Sequence, residues 1–150
     1  MTDFNWKINK FESSSRARTG ILTTPHGKIN TPAFIFCATK AALKTLPTDE
    51  IEKLETQIIL SNTYHLMLQP GEKIIAKHGG LHKFMNWKGP TLTDSGGFQI
   101  FSLGHGSVVD EIKGKNFNTQ RNKSLIKISE EGALFKSYID GSKQLLTPER

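Results

Sequence analysis

The stretch Ala33-Phe34-Ile35-Phe36-Cys37-Ala38 is a short, uninterrupted apolar run that follows Pro32. Such a run is typical of a strand that is buried on both faces, as in a parallel sheet. Gln57-Ile58-Ile59-Leu60-Ser61-Asn62 has the same character, and Thr91-Leu92-Thr93 predicts a third strand that ends in Asp94. We expect the three to be parallel neighbours at roughly residues 33–38, 57–61 and 91–94.

Two helical segments lie between these strands. Residues 45–55 place Pro47 where proline suits a first helical turn, and Thr48 is a candidate cap. Residues 70–78 predict a second short helix, which Gly79-Gly80 ends. The alternation of strand and helix predicts an α/β fold with a parallel sheet.

Residues before the first apolar run favour antiparallel strands. Phe4, Trp6 and Ile8 alternate with polar residues, as on a half-buried strand. Two further strands, at 19–24 and 28–31, flank a turn at Pro25-His26-Gly27.

The end of the chain predicts a hairpin. Residues 133–139 and 144–147 flank a turn at Asp140-Gly141-Ser142, and Pro148-Glu149-Arg150 resembles the first turn of a helix. We therefore divide the chain into an antiparallel sheet (1–31), the first βα units (32–104), an insertion (105–124), and the hairpin with the start of a helix (125–150).

Length and composition narrow the class of protein. The chain has 150 residues, 36% of them hydrophobic and 23% charged, which is a globular composition. A closed (β/α)8 barrel needs about 250 residues, so this length cannot hold a whole one. No apolar run approaches the ~18 residues of a membrane span, and the N-terminus lacks the pattern of a secretory signal. The single cysteine, Cys37, excludes an internal disulfide and a multi-cysteine zinc site, so we expect a cytoplasmic protein with Cys37 in its core.

Positive charge is concentrated in one segment. The net charge is +6, and the five basic residues between Lys113 and Lys127, with no acid among them, supply most of it. A basic segment suits either an arm that contacts nucleic acid or a solvated loop. The loop is favoured, because Phe117 is the only aromatic residue within it.

The segment Asp94-Ser95-Gly96-Gly97-Phe98-Gln99 is the most informative about function. Asp94 closes a buried strand, where α/β sheets and barrels place their ligand sites. The two glycines let the backbone approach a ligand, and Phe98 offers a flat face to a planar ring. Together they would suit a nucleobase. The spacing leaves open a simpler interpretation, in which Asp94 caps the next helix or turn.

Polar residues also end the preceding strand. Asn62 and Thr63 are placed to hydrogen-bond the Asp94 carboxylate and fix its orientation. His65 is a candidate base, although a polar strand-end residue satisfied by the backbone is the favoured interpretation. His78 and His82 are four residues apart, but Gly79-Gly80 interrupts any helix between them, which disfavours a metal pair.

Taken together, these segments resemble the tRNA-guanine transglycosylase family, also called the queuine tRNA-ribosyltransferase family. The matching stretches lie in the family's order and cover most of the chain. They are Thr24-Pro25-His26-Gly27, Thr31-Pro32-Ala33-Phe34, Ser61-Asn62-Thr63-Tyr64-His65-Leu66, Gln69-Pro70-Gly71, Thr93-Asp94-Ser95-Gly96-Gly97-Phe98-Gln99, Ser129-Glu130-Glu131-Gly132 and Asp140-Gly141-Ser142.

The resemblance implies a (β/α)8 TIM barrel with an N-terminal antiparallel sheet, of which this chain supplies the first part. It also implies an exchange of guanine for a queuine-type deazaguanine at the wobble position of tRNA. In the family, one aspartate attacks C1′ of the ribose, guanine leaves, and the new base attacks the covalent intermediate.

The resemblance assigns roles to residues of this chain. The family's other aspartate, which contacts the base and accepts its proton, is Asp94 here. Ser95, Gly96, Gly97 and Phe98 match the base-binding stretch, with Phe98 at the stacking position. Asn62 and Thr63 are expected to support Asp94.

Three departures from the family's pattern affect these expectations. The nucleophilic aspartate and the zinc-binding Cys/His cluster of the family fall beyond Arg150, so we expect no cofactor in this chain and no activity from it alone. Residues 105–124 resemble an insertion between segments that are nearly adjacent in the family. Ala38 and Ala41 stand where the family's pattern leads us to expect glycines.

The partners implied are the tRNA anticodon loop and queuine or its precursor base. A C-terminal partner chain that completes the barrel is a further expectation, and the family is usually dimeric. Two other hypotheses are a non-catalytic remnant of a truncated or split gene, and an RNA-binding fragment that uses the basic segment.

Overall fold

The computed structural model describes residues 4–105 and 124–150. The chain forms two compact units, Met1–Asp94 and Ser95–Arg150. Most of the expected insertion, residues 106–123, lies outside the described residues, so its assignment as a surface loop stays a prediction.

The first unit begins with a three-stranded antiparallel sheet. Its strands are β1 (Asn5–Phe11), β2 (Arg18–Thr24) and β3 (Gly27–Thr31), in the order β1-β2-β3. The turn expected at Pro25-His26 is confirmed, since Thr24 pairs with Gly27 across it.

Strand β1 differs from the expected half-buried strand, because all of its residues are exposed. It is an edge strand, and its apolar face is only partly covered. Trp6, 45% exposed, lies across β2 at Gly20, where a Cβ atom would come within 2.9 Å of the indole. A glycine is required there, because any side chain would displace the ring.

The expected parallel sheet follows. Its strands are β4 (Phe36–Cys37), β5 (Ile59–Ser61) and β6 (Thr91–Thr93), and both neighbouring pairs are parallel. The predicted pairing of the three apolar segments is therefore confirmed. The strands are shorter than the apolar runs, and β4 has only two residues.

Only one face of this sheet is well buried. Ile59 and Ser61 are each 1% exposed, whereas Leu92, on the opposite face, is 40% exposed. Cys37 shares that open face and is itself exposed. The expectations of burial on both faces and of a core Cys37 are wrong, because in the described residues the helices cover the Ile59 face alone.

Four short helices alternate with or follow the strands of the parallel sheet: α1 (Thr48–Lys53), α2 (Thr63–Leu68), α3 (Glu72–Lys77) and α4 (Leu81–Met85). Sequence patterns predict α1 and α3 but miss α2 and α4. Pro47 is the N-cap residue of α1, and the Thr48 hydroxyl donates instead to the Met85 carbonyl at 2.8 Å. Apolar side chains from the sheet and helices form one core, made of Ala38, Ala41, Ile51, Ile59, Leu66, Met85 and Trp87.

The antiparallel sheet joins the parallel sheet at the edge where the parallel strands begin, which we call the amino edge. The Asn30 backbone N–H donates to the Gln57 side-chain oxygen at 2.7 Å. The His26 and His82 rings stack with their centroids 3.7 Å apart. The opposite edge, where the strands end, is the carboxyl edge.

The second unit holds α5 (Gly97–His105) and an antiparallel sheet of β7 (Leu125–Ser129), β8 (Gly132–Lys136) and β9 (Lys143–Leu146). The predicted hairpin is confirmed as β8 and β9, whereas β7 is an additional strand. Phe135 is fully buried. Residues 148–149 form a turn in which the Arg150 N–H donates to the Thr147 carbonyl oxygen, and the expectation that a helix starts here stays a prediction.

Candidate functional site

The carboxyl edge brings Asp94 together with the residues that follow β5. Because β5 and β6 are parallel and in register from Ile59 and Thr91, Asn62 and Asp94 leave the sheet side by side. The Asn62 amide Nδ2 donates to Asp94 Oδ2 at 2.8 Å, and the Thr63 backbone N–H donates to Oδ1 at 2.7 Å. The Thr63 hydroxyl also donates to the Asp94 backbone carbonyl oxygen. Three donors thus hold both the side chain and the main chain of Asp94.

This arrangement fixes a carboxylate and leaves it with accepting capacity. An ionised carboxylate has about four lone-pair positions, and only two of those on Asp94 are occupied by these bonds. Asp94 is half-buried, so the group is oriented by the protein yet open to a ligand. Such a carboxylate can accept hydrogen bonds, or a proton, from a donor-bearing ring.

His65 lies on α2 close to this carboxylate. Burial lowers the pKa of His65, the positive charge of Lys40 lowers it further, and the Asp94 carboxylate opposes both effects. The Lys40 ammonium is itself held by the Gln69 side-chain oxygen at 2.9 Å. The carboxyl edge therefore combines one acid, one ammonium and an imidazole that favours its neutral form.

The residues that follow Asp94 open the second unit. Gly96 has a φ of 75°, a left-handed conformation that favours glycine. The Gly97 N–H donates to the Ser95 hydroxyl oxygen at 3.3 Å, and Gly96 accepts from the Ile100 N–H in the first turn of α5. The Phe98 ring is 66% exposed, so it is available to a planar ligand.

The hydrogen bonds expected from Asn62 and Thr63 to Asp94 are present, while the roles of these residues stay predictions. Sequence reasoning missed that Thr63 begins a helix, although Asn62 is a residue type favoured at the N-cap. It also missed Lys40 and Gln69, which come from two different loops and carry no local signal.

The other histidines do not converge on a metal. His78 Nδ1 lies 2.8 Å from the Ile74 carbonyl oxygen, and His82 Nε2 lies 3.0 Å from that of Gly89. Within residues 4–105 and 124–150, no group of three or more His, Cys, Asp or Glu side chains could hold a metal ion.

Comparison with known proteins gives a consistent result. The model of a family described as queuine tRNA-ribosyltransferase matches residues 13–150. A protein of that name from Roseiflexus sp. (strain RS-1) is 54% identical over 143 residues, which cover 95% of this chain and 36% of the relative. Its namesake from Protochlamydia amoebophila is 48% identical over 149 residues, covering 99% of this chain and 38% of the relative.

A third relative of the same name, from Thermoanaerobacter sp. (strain X514), is 49% identical over all 150 residues and is covered to 35% of its length. The chain thus spans a little more than a third of the length of the curated relatives it matches. Among the described residues, no helix is both long enough and apolar enough to cross a membrane.

Proposed function

Because the chain belongs to the queuine tRNA-ribosyltransferase family, we propose that it provides the base-binding aspartate of a tRNA-guanine transglycosylase. The enzyme would exchange guanine for a queuine-type deazaguanine at the wobble position in the anticodon loop of tRNA. Such a reaction would belong to queuosine biosynthesis, and we propose that the protein acts in the cytoplasm. Asp94 would recognise the base and accept its proton.

The observation that carries this proposal is the hydrogen bonding of Asp94. Asn62 and Thr63 donate to its two carboxylate oxygens at 2.8 and 2.7 Å, which fixes the direction of the remaining lone pairs. A purine-like base presents adjacent N–H donors, and a carboxylate of fixed orientation suits two of them. The same group, held within reach of a ring N–H, can act as a general base.

Ser95, Gly96, Gly97 and Phe98 supply the rest of the proposed base recognition. Gly96, in its left-handed conformation, allows the backbone to turn directly after Asp94. The exposed ring of Phe98 offers a stacking surface. Removing that ring should weaken base binding more than it slows chemistry, because stacking acts in the ground and transition states alike.

We propose further that the parallel sheet is the first part of a (β/α)8 barrel. Strands β4, β5 and β6 are consecutive parallel neighbours, and Asp94 lies at their carboxyl edge, where barrel enzymes place their sites. The antiparallel sheet joins the amino edge and so leaves the carboxyl edge open for substrate.

The attacking carboxylate is proposed to lie outside these 150 residues. Asp94 cannot both accept the proton of the base and attack the ribose from the opposite side. The resemblance assigns the nucleophile, and the zinc-binding cluster, to positions beyond Arg150. A C-terminal partner chain, and the dimer usual in the family, would complete such an enzyme, and no step here depends on zinc.

A base-exchange assay tests this proposal. The 150-residue chain is purified alone and after co-expression with the product of the adjacent downstream reading frame, and incorporation of labelled guanine into tRNA is measured. We expect incorporation only in the co-expressed sample. Exchange by the chain alone would contradict the assignment of the nucleophile. A co-purified complex that binds tRNA without exchange would instead favour a non-catalytic remnant or an RNA-binding fragment.

A further inference from the structure

A second cleft lies at the amino edge of the parallel sheet, away from Asp94. It has a volume of about 510 Å³ and is lined by His26, His82, Lys83, Lys88, Trp87 and the Gly79-Gly80 turn. His26 comes from the turn between β2 and β3, His82 and Lys83 come from α4, and Lys88 precedes β6. Four basic side chains from three segments therefore face one open space.

The charged side chains that line the cleft are all basic. No Asp or Glu is among the residues that line it. Lys83 and Lys88 form no ion pair with any carboxylate in the part of the chain that the structure describes. Two unpaired ammonium groups in one concavity raise the local concentration of anions.

The Lys83 side chain lies across the Gly79-Gly80 turn that lines this cleft. Its ammonium nitrogen lies 3.4 Å from the position that a Cβ atom on Gly79 would occupy, and its chain crosses that glycine closely. Gly79 and Gly80 both have positive φ values, of 84° and 95°, which side chains rarely adopt. The glycine turn thus leaves room for the lysine to cross it.

Two histidines, His26 and His82, also line the cleft. Their rings are stacked at 3.7 Å with planes 14° apart. His82 Nε2 donates to the Gly89 carbonyl at 3.0 Å, because a carbonyl can only accept, and this bond fixes the tautomer. The His82 Nδ1 atom is then an acceptor in the neutral ring and a donor after protonation.

Protonation of His82 would add a positive charge to a cleft whose other charged lining residues are basic. Burial and the neighbouring charge of His26 both lower the pKa of His82, while the bond to Gly89 opposes them. The charged groups that face the pair are Lys83 and Lys88, both positive, so no lining residue compensates an imidazolium. An anion in the cleft would do so and would gain charge-assisted hydrogen bonds.

We propose that this amino-edge cleft is a binding site for phosphate groups, carried either by RNA or by a small phosphorylated molecule. The four residue-to-residue steps from Pro90 to Asp94 span roughly 13 Å at ~3.3 Å per step, so the cleft is separate from the Asp94 site. Binding of free phosphate does not depend on the proposed function, whereas an RNA ligand there would extend it.

The test is an NMR titration of the 150-residue chain, following the imidazole signals of His26 and His82. The probes are inorganic phosphate and a short single-stranded RNA, each at pH 6 and pH 8. The variant K83Q/K88Q removes both ammonium groups of the cleft. Its matched control, K7Q/K10Q, removes the same charge from exposed positions on β1.

We expect phosphate to shift both imidazole signals, more strongly at pH 6, and K83Q/K88Q to weaken binding at least about tenfold. The control should change the affinity less than about threefold. Tighter binding of RNA than of phosphate, with a steep salt dependence, would identify RNA as the source. Equal affinity would identify a small phosphorylated ligand.

Two results would overturn the proposal. One is a titration in which phosphate shifts neither imidazole signal. The other is an equal loss of affinity in K83Q/K88Q and K7Q/K10Q, which would show attraction to net charge alone. Neither result bears on base exchange, so this inference and the proposed function fail separately.

Discussion

The two ends of strand β6 hold their functional groups in different ways. At the carboxyl edge, donors from Asn62 and Thr63 fix both oxygens of Asp94. At the amino edge, His82 is held by one hydrogen bond and by stacking on His26. The first arrangement sets the direction of a single acceptor, as bond-making chemistry requires. The second concentrates positive charge without fixing a ligand's position, which suits binding.

Both edges contain residues in a left-handed backbone conformation. The loop that follows β4 at the carboxyl edge puts two non-glycine residues, Ala41 and Thr45, at φ values of 60° and 66°. At the amino edge, Glu55 and Asn86 have φ values of 53° and 52°, while the turn at the cleft uses Gly79 and Gly80. Non-glycine residues in this conformation cost about 1–2 kcal/mol each, so each edge carries backbone strain.

The largest expected effect is at Asp94. In the assembled enzyme, Asp94→Asn keeps the size of the side chain but removes its ability to accept a proton. We expect turnover in the base-exchange assay to fall on the order of 10²–10⁴-fold. Asp140→Asn makes the same chemical change in an exposed turn and should leave turnover within about twofold. Full activity of Asp94→Asn would contradict the assignment of catalytic chemistry to the carboxyl edge and of binding alone to the amino edge.

A smaller loss of turnover is expected when the hydrogen bond from Asn62 to the Asp94 carboxylate is removed. Asn62→Leu keeps a similar shape but deletes the donor to Oδ2, a bond to a charged group worth about 1.5–3 kcal/mol. We expect kcat to fall roughly tenfold or more, with KM for the base changing less. Thr63→Ser retains both the hydroxyl and the backbone donor and serves as the control. A selective rise in KM would show that Asn62 contributes to binding rather than to positioning.

The pH dependence of stability tests the amino edge next. The folded-state pKa of His82 lies below its ordinary value, because of burial first and His26 second. Its stabilising contribution is therefore fully present above about pH 6.5 and is lost as pH falls below that value. His82→Gln should flatten the decline of the urea midpoint between pH 7.5 and 5.5. A slope as steep as the wild type, or equal flattening in the control His78→Gln, would contradict this.

The smallest expected effect concerns the strained loop at the carboxyl edge. Ala41→Gly relieves a left-handed alanine, partly offset by the greater entropy of the unfolded chain. We expect a gain of less than about 1 kcal/mol in the free energy of unfolding, measured in urea. Ala38→Gly is the control, because Ala38 is fully buried and has no positive φ, and it should lose about 0.5–1 kcal/mol. Destabilisation by both variants would remove the argument for strain.

Sequence patterns predicted the pairing of the parallel strands and the position of Asp94 well. Apolar runs such as that at Ile58–Leu60 are local signals, and the order of parallel neighbours follows from the strand–helix alternation. The hydrogen bonds from Asn62 and Thr63 follow from the same reasoning, since strand ends meet at one edge of a sheet.

Burial and long-range charge could not be predicted in this way. Cys37 and Leu92 are residue types that are usually buried, yet both are exposed. Which face of a sheet is covered depends on elements that are distant in sequence. The pairing of His26 with His82 joins residues 56 positions apart and leaves no local pattern. Helices α2 and α4 have no acidic residue in their first turn, whereas α1 and α3, which are similarly short, carry Asp49, Glu50 and Glu72 there, so only the latter pair carries a local start signal.

The two tryptophans provide an intrinsic fluorescence probe of unfolding. Trp87 is buried, with its indole N–H donating to the Pro90 carbonyl at 3.0 Å, whereas Trp6 is 45% exposed. Both belong to the first unit, and no tryptophan occurs between Ser95 and Arg150. Tryptophan emission during denaturation therefore follows only the unit that contains Asp94, while far-ultraviolet circular dichroism follows both. Separate midpoints in the two signals would show that the units unfold independently.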